Sequence, residues 1–117
     1  MAKGAIPLAK IIHFSKNNFI KQCKELIKLN TYVVYKHTNL INHKVYIGIT
    51  KYGEDPNRRW RNGMGYSYNQ KFFPDIIKFG WDNFTHEILE SNLNEIEANA
   101  RERYYIEKYN SVQDGYN

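Results

Sequence analysis

The chain has 117 residues, and its 42% hydrophobic and 15% aromatic content excludes a disordered protein and predicts one folded domain. Lysine and arginine outnumber aspartate and glutamate by 17 to 12, so the net charge of +5 favours a polyanionic partner. The lone Cys23 excludes an internal disulfide and a cysteine-rich zinc site, and no apolar run approaches the roughly 20 residues of a membrane span. We therefore expect an intracellular protein without a membrane segment.

Residues 1–30 are predicted to form an N-terminal extension with an amphipathic helix. Ser15 is a suitable N-cap for this helix, and lysines lie on its polar side. The apolar side consists of Phe19, Ile20, Cys23, Leu26, Ile27 and Leu29. The lysines would contact phosphates or simply face solvent.

Residues 31–50 are predicted to form a β-hairpin, because two segments rich in Val, Ile and Tyr flank a turn-like centre at residues 38–42. The expected register has three pairs on one face: Tyr35 with Tyr46, His37 with Lys44, and Val33 with Gly48. This polar face would bind an anion or face solvent. The opposite face is predicted to join the core: Tyr32, Val34, Val45, Ile47 and Ile49, with Lys36 as the exception.

A short helix that concentrates positive charge is predicted next. Asp55 is expected as its N-cap, Pro56 as its first residue, and Gly63 just beyond its end. The helix would hold Arg58, Arg59, Trp60 and Arg61. Guanidinium groups suit phosphate oxygens, and a solvated basic helix is the alternative. The following loop, residues 63–71, contains Tyr66 and Lys71 and is expected to contact a nucleic-acid backbone.

Two further helices and a third strand complete the predicted elements. A helix ending at Gly80, with Pro74 near its start, has a stripe expected in the core: Phe72, Phe73, Ile76, Ile77 and Phe79. The third strand runs from Phe84 to Glu90, and its His86 is interpreted as structural. The last helix runs from Asn94 to about Tyr109, with a capping box completed by Glu97.

Glu102 lies at the centre of an apolar and aromatic face of this last helix. The other members of that face are Ala98, Tyr105, Ile106 and Tyr109. A buried carboxylate is costly unless it is paired or binds a metal ion. The residues alone leave both alternatives open: an ion pair with an arginine or with Lys44, and a metal site.

These features, in this order, resemble the GIY-YIG nuclease family over residues 31–117. The two name-giving motifs correspond to Val33-Val34-Tyr35 and Tyr46-Ile47-Gly48, with Val33 in place of the family's glycine. The later motifs are Arg59-Trp60, Glu102 four residues before Ile106, and Gly115-Tyr116-Asn117. Gly63 stands where some members carry a histidine, and Tyr66 could take part of that role.

The resemblance implies an α+β fold with a small three-stranded antiparallel sheet flanked by helices, to which this chain adds the N-terminal amphipathic helix. It implies a metal-dependent DNA endonuclease in which Glu102 binds one Mg²⁺, or Mn²⁺. Tyr46, or less favourably Tyr35, would orient or deprotonate the attacking water, with its pKa lowered by Arg59 or Lys44. Arg59, with Arg58 as the second choice, would stabilise the transition state, and Asn117 would support the site.

The expected DNA contacts are His37, Lys44, Arg58, Arg61, Tyr66 and Lys71. By resemblance, we also expect an origin in a phage or mobile element. Two alternatives stay open for target choice: a separate C-terminal DNA-binding domain outside this chain, and a stand-alone nuclease with little sequence preference. The alternative function is a non-catalytic, basic nucleic-acid-binding domain, which explains the charge but gives Glu102 no task. A purely structural or protein-binding module is the third hypothesis.

Overall fold

The computed structural model describes residues 18–21 and 30–117. Residues 18–21 are helical and exposed, and the rest of the predicted N-terminal helix lies outside the described residues. In the described part of the chain, no helix combines the length and the apolar character that crossing a membrane would require.

The fold of residues 30–117 is α+β. The strands are β1 (Tyr32–Asn39), β2 (Val45–Thr50) and β3 (Phe84–Leu93). The α-helices are α1 (Asn57–Trp60), α2 (Phe73–Phe79) and α3 (Glu95–Lys108), and 3₁₀ segments span Arg61–Tyr66 and Trp81–Asn83. The three strands form one antiparallel sheet in the order β2-β1-β3. This confirms the predicted fold class.

The hairpin of β1 and β2 forms as predicted, but its register differs by two residues. The observed pairs on the predicted polar face are Val33 with Thr50, Tyr35 with Gly48, and His37 with Tyr46. The chain reverses over residues 40–44 rather than 38–42, because Asn39 closes the turn: its N–H donates to the Lys44 carbonyl, and its carbonyl accepts from His43 N–H. The side chain of Asn39 also accepts from Ile41 N–H at 2.9 Å. Because the shift is even, every side chain keeps its predicted face.

The predicted polar face is buried, which corrects the expectation that it is solvated or open to an anion. Tyr35 is 1% exposed and His37 is fully buried. Aromatic side chains from the segment between β2 and β3 cover this face, and the resulting core comprises Val33, Tyr35, Trp60, Tyr66, Phe72, Ile76, Phe84 and Tyr116. Helix α3 packs on the other face, where Val34 and Ile47 are fully buried as predicted. The sheet is therefore covered on both sides.

Helix α1 is shorter than predicted. It begins after Pro56, without a side-chain cap from Asp55, and ends at Trp60 because Arg61 adopts a left-handed conformation with φ 48°. The 3₁₀ segment Arg61–Tyr66 then occupies the start of the predicted loop.

The other predicted helices form with small differences. Helix α2 has Pro74 in its first turn and Gly80 at its C-cap, but Ile77 is 64% exposed and does not belong to the core. Helix α3 begins with the predicted capping box, in which Asn94 and Glu97 exchange side-chain-to-backbone hydrogen bonds of 2.8 and 3.1 Å. Strand β3 continues past Glu90 to Leu93, where it pairs with the start of β1.

Candidate active site

The two tyrosines of the hairpin motifs lie side by side on the inner face of the sheet. The ring centroids of Tyr35 and Tyr46 are 6.4 Å apart. The Tyr35 ring lies directly over Gly48, where a Cβ atom would come within 2.5 Å of the Tyr35 hydroxyl oxygen. Only glycine leaves room for this arrangement, which explains the glycine of the second motif in physical terms.

Tyr46 is held by aromatic packing, with its ring stacked on Phe72 at 4.9 Å and edge-on to Tyr66 at 5.0 Å. Within the described residues, its hydroxyl makes no hydrogen bond and is free to bind a ligand. Burial raises the pKa of Tyr46 above its ordinary value, and the Arg59 guanidinium offsets only part of this rise. Arg59 thus acts on this pKa in the expected direction, but burial outweighs it, so Tyr46 is a neutral phenol at pH 7.

Arg59 is the arginine of the basic cluster that faces the tyrosines. Its guanidinium carbon lies 4.7 Å from the Tyr66 ring centroid, and its Nη1 donates to the Gly65 carbonyl at 2.7 Å. Its Nη2 donates to the Tyr68 hydroxyl. Arg58 instead lies over Tyr52, 4.3 Å from that ring centroid, on the exposed side of α1. The structure therefore distinguishes Arg59 from Arg58, which the sequence left as the second choice.

Glu102 projects from α3 and is partly buried. Burial raises the pKa of its carboxyl, and the nearby Arg103 offsets this only in part. Its negative charge in turn contributes to the raised pKa of Tyr46. Within the described residues Glu102 makes no ion pair, which corrects the alternative of a salt bridge to an arginine or to Lys44.

Glu102 is the carboxylate that the sequence predicts to hold a metal ion. The described residues contain no group of three or more His, Cys, Asp or Glu side chains able to hold one. A hard cation such as Mg²⁺ keeps several water ligands and needs only one or two protein carboxylates. The unpaired Glu102 therefore fits one hydrated hard cation and does not fit a zinc site built from several side chains.

Asn117 connects the end of the chain to β2. Its Oδ1 accepts from Ile47 N–H and its Nδ2 donates to the Ile47 carbonyl, each at 2.7 Å. Ile47 lies between Tyr46 and Gly48, so this contact fixes the backbone of the second motif. The Lys71 ammonium donates to the Asn117 carbonyl at 2.8 Å and to the Val112 carbonyl. Lys71 thus anchors the chain end and has fewer free donors for the predicted contact with DNA.

A line of hydrogen bonds leads from Tyr35 to the molecular surface. The hydroxyl of Tyr66 lies 2.9 Å from that of Tyr35 and 2.8 Å from His37 Nε2. His37 Nδ1 lies 2.9 Å from Nδ1 of His86, which is exposed. No local pattern in the sequence indicates this link, because His37 and His86 lie 49 residues apart and meet only through the β1–β3 register. This bond links His86 to the buried His37, and the structural interpretation of His86 stays a prediction.

The predicted DNA contacts divide into exposed and buried groups. Lys44, Arg58, Arg61 and Lys71 are exposed. His37 and Tyr66 are fully buried among the core aromatics, which corrects the prediction that their side chains contact DNA. Tyr68, which the sequence analysis did not single out, is 67% exposed beside Arg59.

Comparison with known proteins identifies the relationship. The GIY-YIG catalytic domain family matches residues 31–117. The structure resembles that of the catalytic domain of homing endonuclease I-TevI, with a TM-score of 0.61 and 26% sequence identity over 74% of this chain and 96% of the other. A mutant of the catalytic domain of intron endonuclease I-TevI, with one glutamate replaced by alanine, gives the same score and identity over 74% and 91%.

No curated protein matches the chain. The family match covers most of the chain and includes every motif of the hairpin, the basic helix, α3 and the chain end. The chain therefore belongs to the GIY-YIG catalytic domain family, and this membership supports a nuclease function.

Proposed function

We propose that this protein is a divalent-metal-dependent endonuclease that hydrolyses phosphodiester bonds in DNA. The observation that carries the proposal is Glu102, a partly buried carboxylate without an ion-pair partner in the described residues, which acts electrostatically on Tyr46. An unpaired carboxylate in such a place is costly for folding, and a bound cation would compensate for that cost. The similarity to an endonuclease catalytic domain supports the same reaction class.

Each residue of the site has a task in this reaction. Glu102 would hold Mg²⁺ or Mn²⁺, which supplies a Lewis acid for a phosphate oxygen when bound. The free hydroxyl of Tyr46 orients the attacking water. Arg59, fixed by Gly65 and Tyr68, donates hydrogen bonds to the phosphate oxygens as their charge increases. Asn117 keeps the backbone at Tyr46 in place through Ile47.

Exposed cations would bind the DNA backbone. Lys44, Arg58 and Arg61 are exposed. A guanidinium group can donate two parallel hydrogen bonds to two oxygens of one phosphate. Such contacts fix the position of the duplex without reading its sequence. Target choice would then come from a separate DNA-binding domain, or the protein would cut with little sequence preference. The likeness to a homing endonuclease supports an origin in a mobile element, and a phage origin stays a prediction.

The test is cleavage of a supercoiled plasmid in Mg²⁺, Mn²⁺ or EDTA, with Glu102→Ala beside the wild type. Glu107→Ala is the matched control, because Glu107 is an exposed carboxylate on the same helix. We expect cutting with either metal, none in EDTA, and loss of cutting only in Glu102→Ala. DNA binding without cutting under any metal would instead favour the non-catalytic nucleic-acid-binding domain.

A further inference from the structure

The hydrogen-bonded line from Tyr35 through Tyr66 and His37 to His86 is continuous. Its three links measure 2.9, 2.8 and 2.9 Å, so each can carry a hydrogen bond in either direction. The first three members are buried and the last is exposed. The line thus connects the inner face of the sheet, beside Tyr46, to solvent beyond β3.

The line has two self-consistent hydrogen-bond directions. With neutral His86, Tyr35 donates to Tyr66, Tyr66 to His37 Nε2, and His37 Nδ1–H to His86 Nδ1. With protonated His86, every bond reverses, and Tyr35 accepts from Tyr66. The direction of the line therefore decides whether the Tyr35 oxygen offers a free lone pair or a free hydrogen to the site.

We propose that this line is a proton relay that makes His86 the terminal base for the attacking water. The water gives a proton to the Tyr35 oxygen as the Tyr35 proton passes to Tyr66, the Tyr66 proton to His37 Nε2, and the His37 Nδ1 proton to His86. The water oxygen forms the new bond to phosphorus, and the bond to the leaving oxygen breaks with its electron pair. His86 becomes an imidazolium and releases its proton to solvent.

The surrounding groups suit this role. Burial, reinforced by His86 and Arg59, holds the pKa of His37 well below its ordinary value, so His37 passes a proton on without storing one. Partial burial against Trp81 lowers the pKa of His86, and Asp82 offsets this in part, so His86 is neutral at pH 7 and able to accept a proton. No phenolate is needed at Tyr35 or Tyr46, whose pKa values burial raises.

The relay rests on the proposed nuclease function, and its first test compares rates of DNA cleavage across pH. His86→Gln keeps an oxygen that accepts from His37 but cannot take up a proton. We expect a rate about 100-fold lower or more, the scale of general base catalysis. In the wild type, protonation of His86 should slow cleavage at acid pH, and this decrease should be absent from His86→Gln. His43→Asn is the control, since His43 is an exposed histidine whose positive φ asparagine tolerates.

A second variant separates the relay from packing. His86→Ala opens a space beside Trp81, and added imidazole should restore its cleavage rate if His86 acts as a base. Imidazole should not restore Tyr66→Phe, in which the line is broken inside the core. An unchanged pH profile in His86→Gln together with no rescue of His86→Ala would overturn the relay.

A third measurement does not depend on cleavage. Nitrogen chemical shifts of His37 and His86, followed by NMR between about pH 8 and 5, report which ring nitrogen carries the proton. As His86 becomes charged, His37 should stay neutral and move its proton from Nδ1 to Nε2. A single His37 tautomer throughout would overturn the relay, whereas absence of wild-type cleavage beside the expected tautomer change would count against the nuclease function alone.

Discussion

The side chain of Asn117 hydrogen-bonds both backbone polar groups of Ile47. Its Oδ1 accepts from the Ile47 N–H and its Nδ2 donates to the Ile47 carbonyl, each at 2.7 Å. Because these bonds hold the residue after Tyr46, replacing Asn117 with alanine should loosen β2 where it carries the site. We expect the free energy of unfolding, measured in urea, to fall by about 1–3 kcal/mol. We expect the rate of DNA cleavage to fall by a larger factor than this loss of stability alone would cause. The exposed Gln113→Ala serves as the control and should change neither quantity.

Glu102→Gln should make the protein more stable while abolishing cleavage. The pKa of the Glu102 carboxyl is raised from 4.5 by burial, so the folded state binds its proton more readily than the unfolded state does. Ionisation therefore lowers stability as pH rises from the unfolded-state pKa through the higher folded-state pKa. The gain in melting temperature of Glu102→Gln should appear at pH 7 and vanish below the unfolded-state pKa.

Mg²⁺ adds an independent check of Glu102. The ion should raise the melting temperature of the wild type, because a ligand that binds the folded state stabilises it, and should leave Glu102→Gln unchanged. Equal stabilisation of both proteins would place the ion elsewhere.

Arg59→Lys should reduce cleavage by about 100-fold or more, the scale found when a donor to a developing charge is lost. One ammonium group cannot reproduce the planar contacts that the guanidinium makes with Gly65 and Tyr68. Arg58→Lys is the matched control in the same helix turn, and we expect only a small loss because Arg58 faces Tyr52. Similar losses in steady-state rate for both variants would contradict this assignment.

Acid should destabilise the protein through His37. Its pKa is held below the ordinary 6.5 by burial, so the unfolded state binds the proton more readily and stability falls as pH drops through 6.5. His37→Gln removes this group, and its melting temperature should change less between about pH 7 and 5. His43→Asn, altered at an exposed site, should keep the wild-type dependence.

Local signals in the sequence predicted the elements well. The capping box of Asn94 and Glu97 marks the start of α3, and Pro74 and Gly80 bracket α2, because each depends on residues within one turn. The faces of the hairpin strands also follow from alternation alone. These features need no knowledge of the tertiary fold.

Tertiary contacts decided what the sequence could not. The polarity of Tyr35 and His37 suggested a wet face, yet Trp60, Tyr66 and Phe72 cover it. The Tyr66 hydroxyl hydrogen-bonds both Tyr35 and His37. The fold brings Arg59 to the tyrosines while Arg58 points away, although the two are adjacent in sequence. The burial of a sheet face and the direction of a side chain depend on which distant segments of the chain pack together.

The segment that ends in Asn117 also affects whether copies of the protein can associate through a sheet edge. Strand β2 is one of the two outer strands of the sheet, and the backbone groups on its outer side could pair with a strand from another molecule. The Tyr116 N–H donates to the Val45 carbonyl. The Asn117 side chain hydrogen-bonds the backbone N–H and the carbonyl of Ile47. The contact that steadies the site therefore also closes this edge of the sheet to strand addition, so loss of Asn117 would expose a surface prone to self-association.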